Sequence, residues 1–191
     1  MRANTMTTLI AIPGSLRRES INAGLLRAAA EVSPDDVRVE PASLRRIPLY
    51  DGDREAEHGI PASVQKLKDR IAASDGLLIA TPEYNNGIPG VLKNAIDWLS
   101  RPPRDIARVF GDRPVALLGA TPGRGGTALA HAAWLPVIRV LGMRPWFGGS
   151  LQVAQARQLF NGDGTLNDAE TRERLAAFLQ GFVEFVRENR R

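Results

Sequence analysis

The chain contains no cysteine, which excludes disulfides, thiolate metal centres and thiol nucleophiles. Its two histidines, His58 and His131, leave little from which to build a histidine metal site. No catalytic side chain and no bound metal are therefore expected, and any redox chemistry must come from a borrowed cofactor. No run of about 18 apolar residues occurs, so no membrane-spanning helix is expected. The apolar stretch at 7–12 is too short for a signal-peptide core and reads as a first strand, so a cytoplasmic protein is expected. Acidic residues are missing between Arg113 and Gly162, where five arginines stand: Arg113, Arg124, Arg139, Arg144 and Arg157. In a chain of net charge +4, such a stretch either solvates a face or attracts phosphorylated ligands. The arginines are single and lack interleaved aromatics, so nucleic acid is not an expected partner.

What is present is an ordinary globular composition, 43% apolar and 24% charged over 191 residues. It fits one domain over 1–191, with 1–6 and 187–191 expected to fray. Apolar runs at 8–12, 76–80 and 114–120 read as buried strands, each followed by a turn rich in proline or glycine. Val37, Val39 and Pro41 alternate with polar residues and mark an edge strand, and 144–147 is a candidate fifth. Helical spacing covers 20–32, 63–73, 91–99, 127–141 and 167–188. The segment 47–60, rich in Pro, Gly and Asp, reads as a loop. Pro136 falls inside a helix, where proline costs about 3 kcal/mol, so a kink or break is expected near Ala132. The last helix has Asn167 or Asp168 as N-cap, and its stripe of Leu175, Phe178, Leu179, Phe182 and Phe185 reads as core. Trp98, Trp134 and Trp146 read as core too. Strands alternating with helices imply an α/β fold, a parallel sheet covered on both faces and doubly wound by right-handed crossovers.

In such a sheet, ligands bind at the carboxyl ends of the strands. Three loops leave those ends. The first, 14–22, offers the Ser15 and Ser20 hydroxyls, the Asn22 amide, the Arg17 and Arg18 cations and the free N–H groups of a helix start at Ile21. Those are the donors a phosphate monoester needs, although Ser20 as a plain helix cap would explain the same residues. The loop lacks the lysine and spacing of a P-loop. The second, 81–90, carries Pro82, Glu83, Tyr84 and Asn85 on an irregular backbone that can turn N–H groups toward the polar edge of a planar ring. The third, 120–128, carries Ala120, Thr121 and Gly123. Its Gly123, Gly125 and Ala128 match a dinucleotide fingerprint by count, but no acidic residue follows for a ribose, so it reads as a loop flanking a cofactor ring.

Two motifs together, Gly14-Ser15-Leu16-Arg17 through Asn22 and Pro82-Glu83-Tyr84-Asn85 followed by Pro89-Gly90-Val91-Leu92-Lys93-Asn94, resemble the NADPH-dependent FMN reductases. That family includes bacterial quinone, chromate and azo-dye reductases. The resemblance implies a flavodoxin-like three-layer sandwich with a five-stranded parallel sheet of order 2-1-3-4-5. It implies noncovalent FMN, NADPH or NADH as co-substrate, a small-molecule electron acceptor, and a homodimer or homotetramer. Carried over by position, Ser15, Arg17, Ser20, Ile21 and Asn22 would hold the FMN phosphate, and Pro82, Glu83, Tyr84 and Asn85 the isoalloxazine. Ala120 stands where the family often has Ser or Thr, so its contact would run through backbone, with Thr121 and Gly123 beside it. Arg17, Arg18, Arg101, Arg104 and Arg124 are candidates for the nicotinamide nucleotide's phosphates. Alanine at Ser15 and Asn22 is expected to weaken FMN binding with little loss of fold. Two other readings compete: a flavodoxin-type electron carrier without NAD(P)H activity, and a nucleotide-binding regulatory domain without redox activity.

Overall fold

Side chains on a strand alternate between its two faces, and here both faces are apolar. In β1 (Thr7–Pro13), Leu9 and Ala11 enter one core while Ile10 and Ile12 enter another. In β3 (Gly76–Ala80), Leu78 and Ala80 join the first core and Leu77 and Ile79 the second. Two cores on opposite faces make a three-layer sandwich. The computed structural model, which describes residues 6–190, shows every strand pairing in parallel. The order is β2-β1-β3-β4-β5, as expected, with β2 (Val37–Pro41) at the edge.

The helices divide between the faces. α1 (Ile21–Glu31) and α7 (Ala169–Glu188) cover the first core through Leu25, Leu26, Leu175, Phe178 and Phe182. On the second lie α3 (Ala62–Ala72), α4 (Gly90–Leu99) and α6 (Ala128–Val140), bringing Ile71, Trp98 and Trp134. Trp98 and Trp134 are fully buried, and Trp146 packs edge-on against Phe178 at 5.0 Å, so all three tryptophans are core. Asp168 caps α7 by accepting the Thr171 N–H.

Four details depart from the sequence reading. The 47–60 segment is not wholly loop: it holds α2 (Gly52–His58), which buries no residue and so left no periodic apolar signal. A further short helix, α5 (Ile106–Val109), follows the turn at Pro103–Asp105. The fifth strand is shorter than expected. β5 is only Arg144–Pro145, paired with the start of β4 (Pro114–Ala120), and after residues 146–150 a sixth strand, β6 (Leu151–Val153), pairs with the end of β4. Finally, α6 does not break near Ala132 but runs through Pro136. Both Pro136 and Ala132 face solvent, so water takes the carbonyl that the proline cannot bond, while Trp134 and Ile138 keep the inner face packed.

The expected fraying lies partly on 1–5 and 191, outside the described residues. Within them, α7 continues to Glu188, and Arg187 pairs with Asp36 at 2.8 Å.

Candidate active site

The three loops read from the sequence converge at the carboxyl edge of the sheet. They line a cavity of ≈ 500 Å³, within the usual range for a cofactor site. Their approach depends on Gly14: a Cβ there would sit 2.7 Å from Pro82 Cδ and 2.8 Å from Leu92 Cδ2. Only glycine lets the first loop close on the second.

The first loop delivers donors. Ser20 caps α1, its Oγ accepting the Ala23 N–H at 3.2 Å, which leaves the hydroxyl proton to donate elsewhere. The N–H groups of Ile21 and Asn22 have no partner among the described residues, as the first turn of a helix dictates. They add the roughly half positive charge of a helix N-terminus. Ser15 and Arg17 line the same cavity. Ser20 is thus a helix cap, and that role leaves its hydroxyl proton available.

Asn22 has a different task from the one expected. Its Nδ2 donates to the Ala120 carbonyl at 2.8 Å, and its Oδ1 accepts the Ala120 N–H at 3.0 Å. The side chain is buried and ties the start of α1 to the end of β4. The Ala120 N–H is therefore engaged, while its carbonyl keeps a second lone pair, and Ala120 lines the cavity beside Thr121. The Thr121 N–H is held by the Val153 carbonyl, and its hydroxyl accepts the Gly123 N–H at 3.4 Å and keeps its proton to donate.

In the second loop, Tyr84 and Gly87 pair across Asn85 and Asn86, which have φ of 50° and 60°. Positive φ at both central residues makes a type I′ turn, and asparagine tolerates it better than most residues. The turn carries Asn85 away, so it does not line the cavity, whereas Pro82, Glu83 and Tyr84 do. The Tyr84 hydroxyl reaches 3.5 Å from Ser15 Oγ and links the two loops. The Glu83 carboxylate turns out of the cavity to accept the N–H groups of Leu129 and Ala130, at 2.9 and 3.0 Å. It caps α6 from another loop and couples the second loop to the third. Gly123, in the third, lies outside the cavity wall.

The wall has a fourth side that the sequence did not mark. Arg157, Phe160, Asn161 and Gly162, after β6, complete it. Arg157 stood out only within the acid-free stretch. Of the other candidate arginines, Arg17 alone lines the cavity; Arg101 is held by Glu55 at 2.8 Å. Among the described residues no cluster of His, Cys, Asp or Glu could hold a metal, and no helix is long and apolar enough to cross a membrane.

A titratable group outside the cavity wall interacts with Glu83. His131, one turn into α6, is largely buried, and burial holds its pKa below the ordinary histidine value, against smaller opposing effects from the Leu118 backbone and Glu83. A folded pKa below the unfolded one means that the unfolded chain takes up a proton first as pH falls. Stability should therefore decline as pH drops through about 6.5 toward the folded value. Urea titrations at pH 7.5 and 5.5 check this: the difference should shrink in His131→Gln, and an unchanged difference would assign it to other groups.

A parallel, doubly wound sheet with a phosphate-ready helix start and an irregular N–H-bearing loop at its carboxyl edge defines a flavodoxin-like cofactor-binding protein. The comparisons narrow the class. A family profile for NADPH-dependent FMN reductase matches residues 7–158. An NAD(P)H-dependent FMN reductase of Pseudomonas aeruginosa is 39% identical over 179 residues, covering 94% of this chain and 95% of that protein. A 2-hydroxy-1,4-benzoquinone reductase from a Burkholderia species is 35% identical over 94% of this chain and 96% of its own length. Among solved structures, FerB, a flavoenzyme NAD(P)H:(acceptor) oxidoreductase of Paracoccus denitrificans, superposes with a TM-score of 0.85 at 31% identity, covering 97% of this chain and 100% of its own. The chain belongs to the NADPH-dependent FMN reductase family.

Proposed function

We propose that this chain, as a single domain, is an FMN-dependent NAD(P)H oxidoreductase whose acceptors are quinones. The observation that carries the reading is the donor set at the start of α1: the unpartnered N–H groups of Ile21 and Asn22 and the Ser20 hydroxyl, beside Ser15 and Arg17 in one cavity. This set fits a phosphate monoester, which is acceptor-only and carries about two negative charges at neutral pH. When bound at these residues, FMN would supply the two-electron chemistry between reduced nicotinamide and an acceptor.

The chain's own residues bind and orient. Ser15, Arg17, Ser20 and the α1 N–H groups hold the phosphate, and Asn22 registers that seat against the end of β4. Pro82, Glu83 and Tyr84 flank the ring, where the Glu83 N–H has no partner among the described residues and is available to a carbonyl edge. With its carboxylate engaged at α6, Glu83 keeps negative charge off that edge, which suits a ring that gains charge on reduction. Family membership favours a reductase over a flavodoxin-type carrier. Quinones are the natural acceptor class because relatives in Burkholderia and Escherichia coli are named as quinone reductases. A cytoplasmic homodimer or homotetramer using NADPH completes the reading.

Steady-state oxidation of NADPH with 1,4-benzoquinone tests it. Turnover that depends on added FMN is expected. FMN-loaded protein that oxidises neither NADPH nor NADH with any quinone would overturn the assignment in favour of the carrier.

A further inference from the structure

One wall of the cavity is built by Arg157 and residues 160–162, which straddle the end of the matched family region at residue 158. After β6 the chain returns over α1 in a small hairpin. Phe160 and Leu166 pair across it, the Asn161 N–H meets the Thr165 carbonyl at 2.8 Å, and Gly164 takes φ of 80°. The hairpin is pressed on α1. A Cβ at Gly24 would fall 1.8 Å from the Gly164 carbonyl oxygen, and Arg27 donates to the same oxygen at 3.0 Å. At its root the segment is tied to the third loop, where the Gln155 and Ala156 N–H groups meet the Gly123 and Thr121 carbonyls at 2.8 and 2.9 Å. Arg157 comes next. It is thus anchored on both sides, and it lines the cavity with Arg17 and Ser20.

Charge decides what it does there. A phosphate monoester brings close to two negative charges at neutral pH. Arg17 and the α1 terminus together offer about one and a half positive charges, less than the phosphate carries, and both Arg17 and Arg157 are exposed. Arg157 makes no ion pair with any described residue. The acids nearby do not neutralise it: Glu19 lines the cavity on its exposed side without an ion pair, and the Asp163 carboxylate is engaged by the Thr165 N–H at 2.9 Å within its own turn.

Resting on the FMN reading above, we propose that Arg157, presented by the 156–166 segment, is a second phosphate-binding cation that makes the site select flavin monophosphate over riboflavin. The segment works as a fixed wall against α1, so the site meets the phosphate from two sides.

Titration of flavin-free protein with FMN and with riboflavin, followed by flavin fluorescence, tests this. Riboflavin lacks only the phosphate. Arg157→Ala should weaken FMN binding roughly tenfold and leave riboflavin binding within about twofold. Arg157→Lys should recover part of the loss, since the charge returns without the planar fork. Equal losses for both flavins would assign Arg157 to the ring or to the fold, and unchanged FMN affinity would remove it from the site; either overturns the proposal. A raised KM for NADPH at unaltered FMN affinity would also overturn it, by assigning Arg157 to the donor nucleotide. Wild-type protein that binds no FMN would instead refute the underlying reading.

Discussion

Asn22→Ala should lose stability as well as flavin, whereas the sequence reading expects little loss of fold. The substitution strands two buried backbone groups, the Ala120 N–H and C=O, each of which costs about 1–3 kcal/mol unpaired. A loss of about 2–4 kcal/mol is expected, lowering Tm by roughly 4–16 °C for a chain of this size. FMN affinity should drop at least roughly tenfold, because the α1 seat loses its register with the end of β4. Ser15→Ala makes the contrast. Ser15 accepts the Arg17 N–H in an exposed turn and a long 3.5 Å bond from the Tyr84 hydroxyl, so its loss should weaken FMN binding while Tm barely moves. Asn22→Asp separates the two roles. It keeps an acceptor for the Ala120 N–H but places negative charge beside the phosphate, so flavin affinity should fall further than stability. Calorimetry with FMN titration measures all three variants; an Asn22→Ala protein as stable as wild type would refute the clamp.

Lys68→Ala should be the most destabilising single change in the second core. Lys68 is fully buried in α3, with its ammonium held by the Arg101 carbonyl and the Asp105 carboxylate. Truncation opens a gap at a fully buried site and strands the Arg101 carbonyl, while Asp105, partly exposed, keeps only Arg108 at 3.6 Å, for a cost of about 3 kcal/mol. The double variant Lys68→Met with Asp105→Leu should recover most of that loss, because apolar side chains of similar volume can replace a pair outright. Lys68 also holds the Asp105 carboxyl below its ordinary pKa. A depressed folded pKa gives stability that is present above the unfolded value and lost as pH falls through the folded one. The gap between wild type and Lys68→Ala should therefore narrow below about pH 4. Denaturant melts at pH 7 and pH 3.5 check the sign, and a gap that widens in acid would contradict it. FMN binding by folded Lys68→Met protein should persist, since Lys68 does not line the cavity.

These two residues show what the sequence carries and what it hides. Continuous apolar runs and periodic helix faces marked β1, β3, β4 and the long helices, because burial on both faces of a sheet writes itself into every strand residue. The three cavity loops were legible for the same reason, since each directly follows a recognisable strand. Roles that depend on partners far along the chain were not. Asn22 meets Ala120 across 98 residues, and Glu83 meets α6 across 46, so neither pairing has a local pattern. Lys68 sits on the buried face of α3 with Val64 and Ile71, but a lysine there reads as an exposed polar residue until Asp105 is in place. The hairpin that carries Arg157 to the cavity is likewise fixed by packing on Gly24 of α1, a contact that spacing cannot announce.

The donor set on α1 leads to one central claim: this cavity binds FMN so that reduced nicotinamide can deliver electrons to it. Purified protein loaded with FMN, freed of excess flavin and kept without oxygen, should lose its visible flavin absorption on addition of NADPH and regain it when a quinone is added. Protein that retains no FMN, or that keeps its absorption unchanged with both NADPH and NADH, would contradict the account.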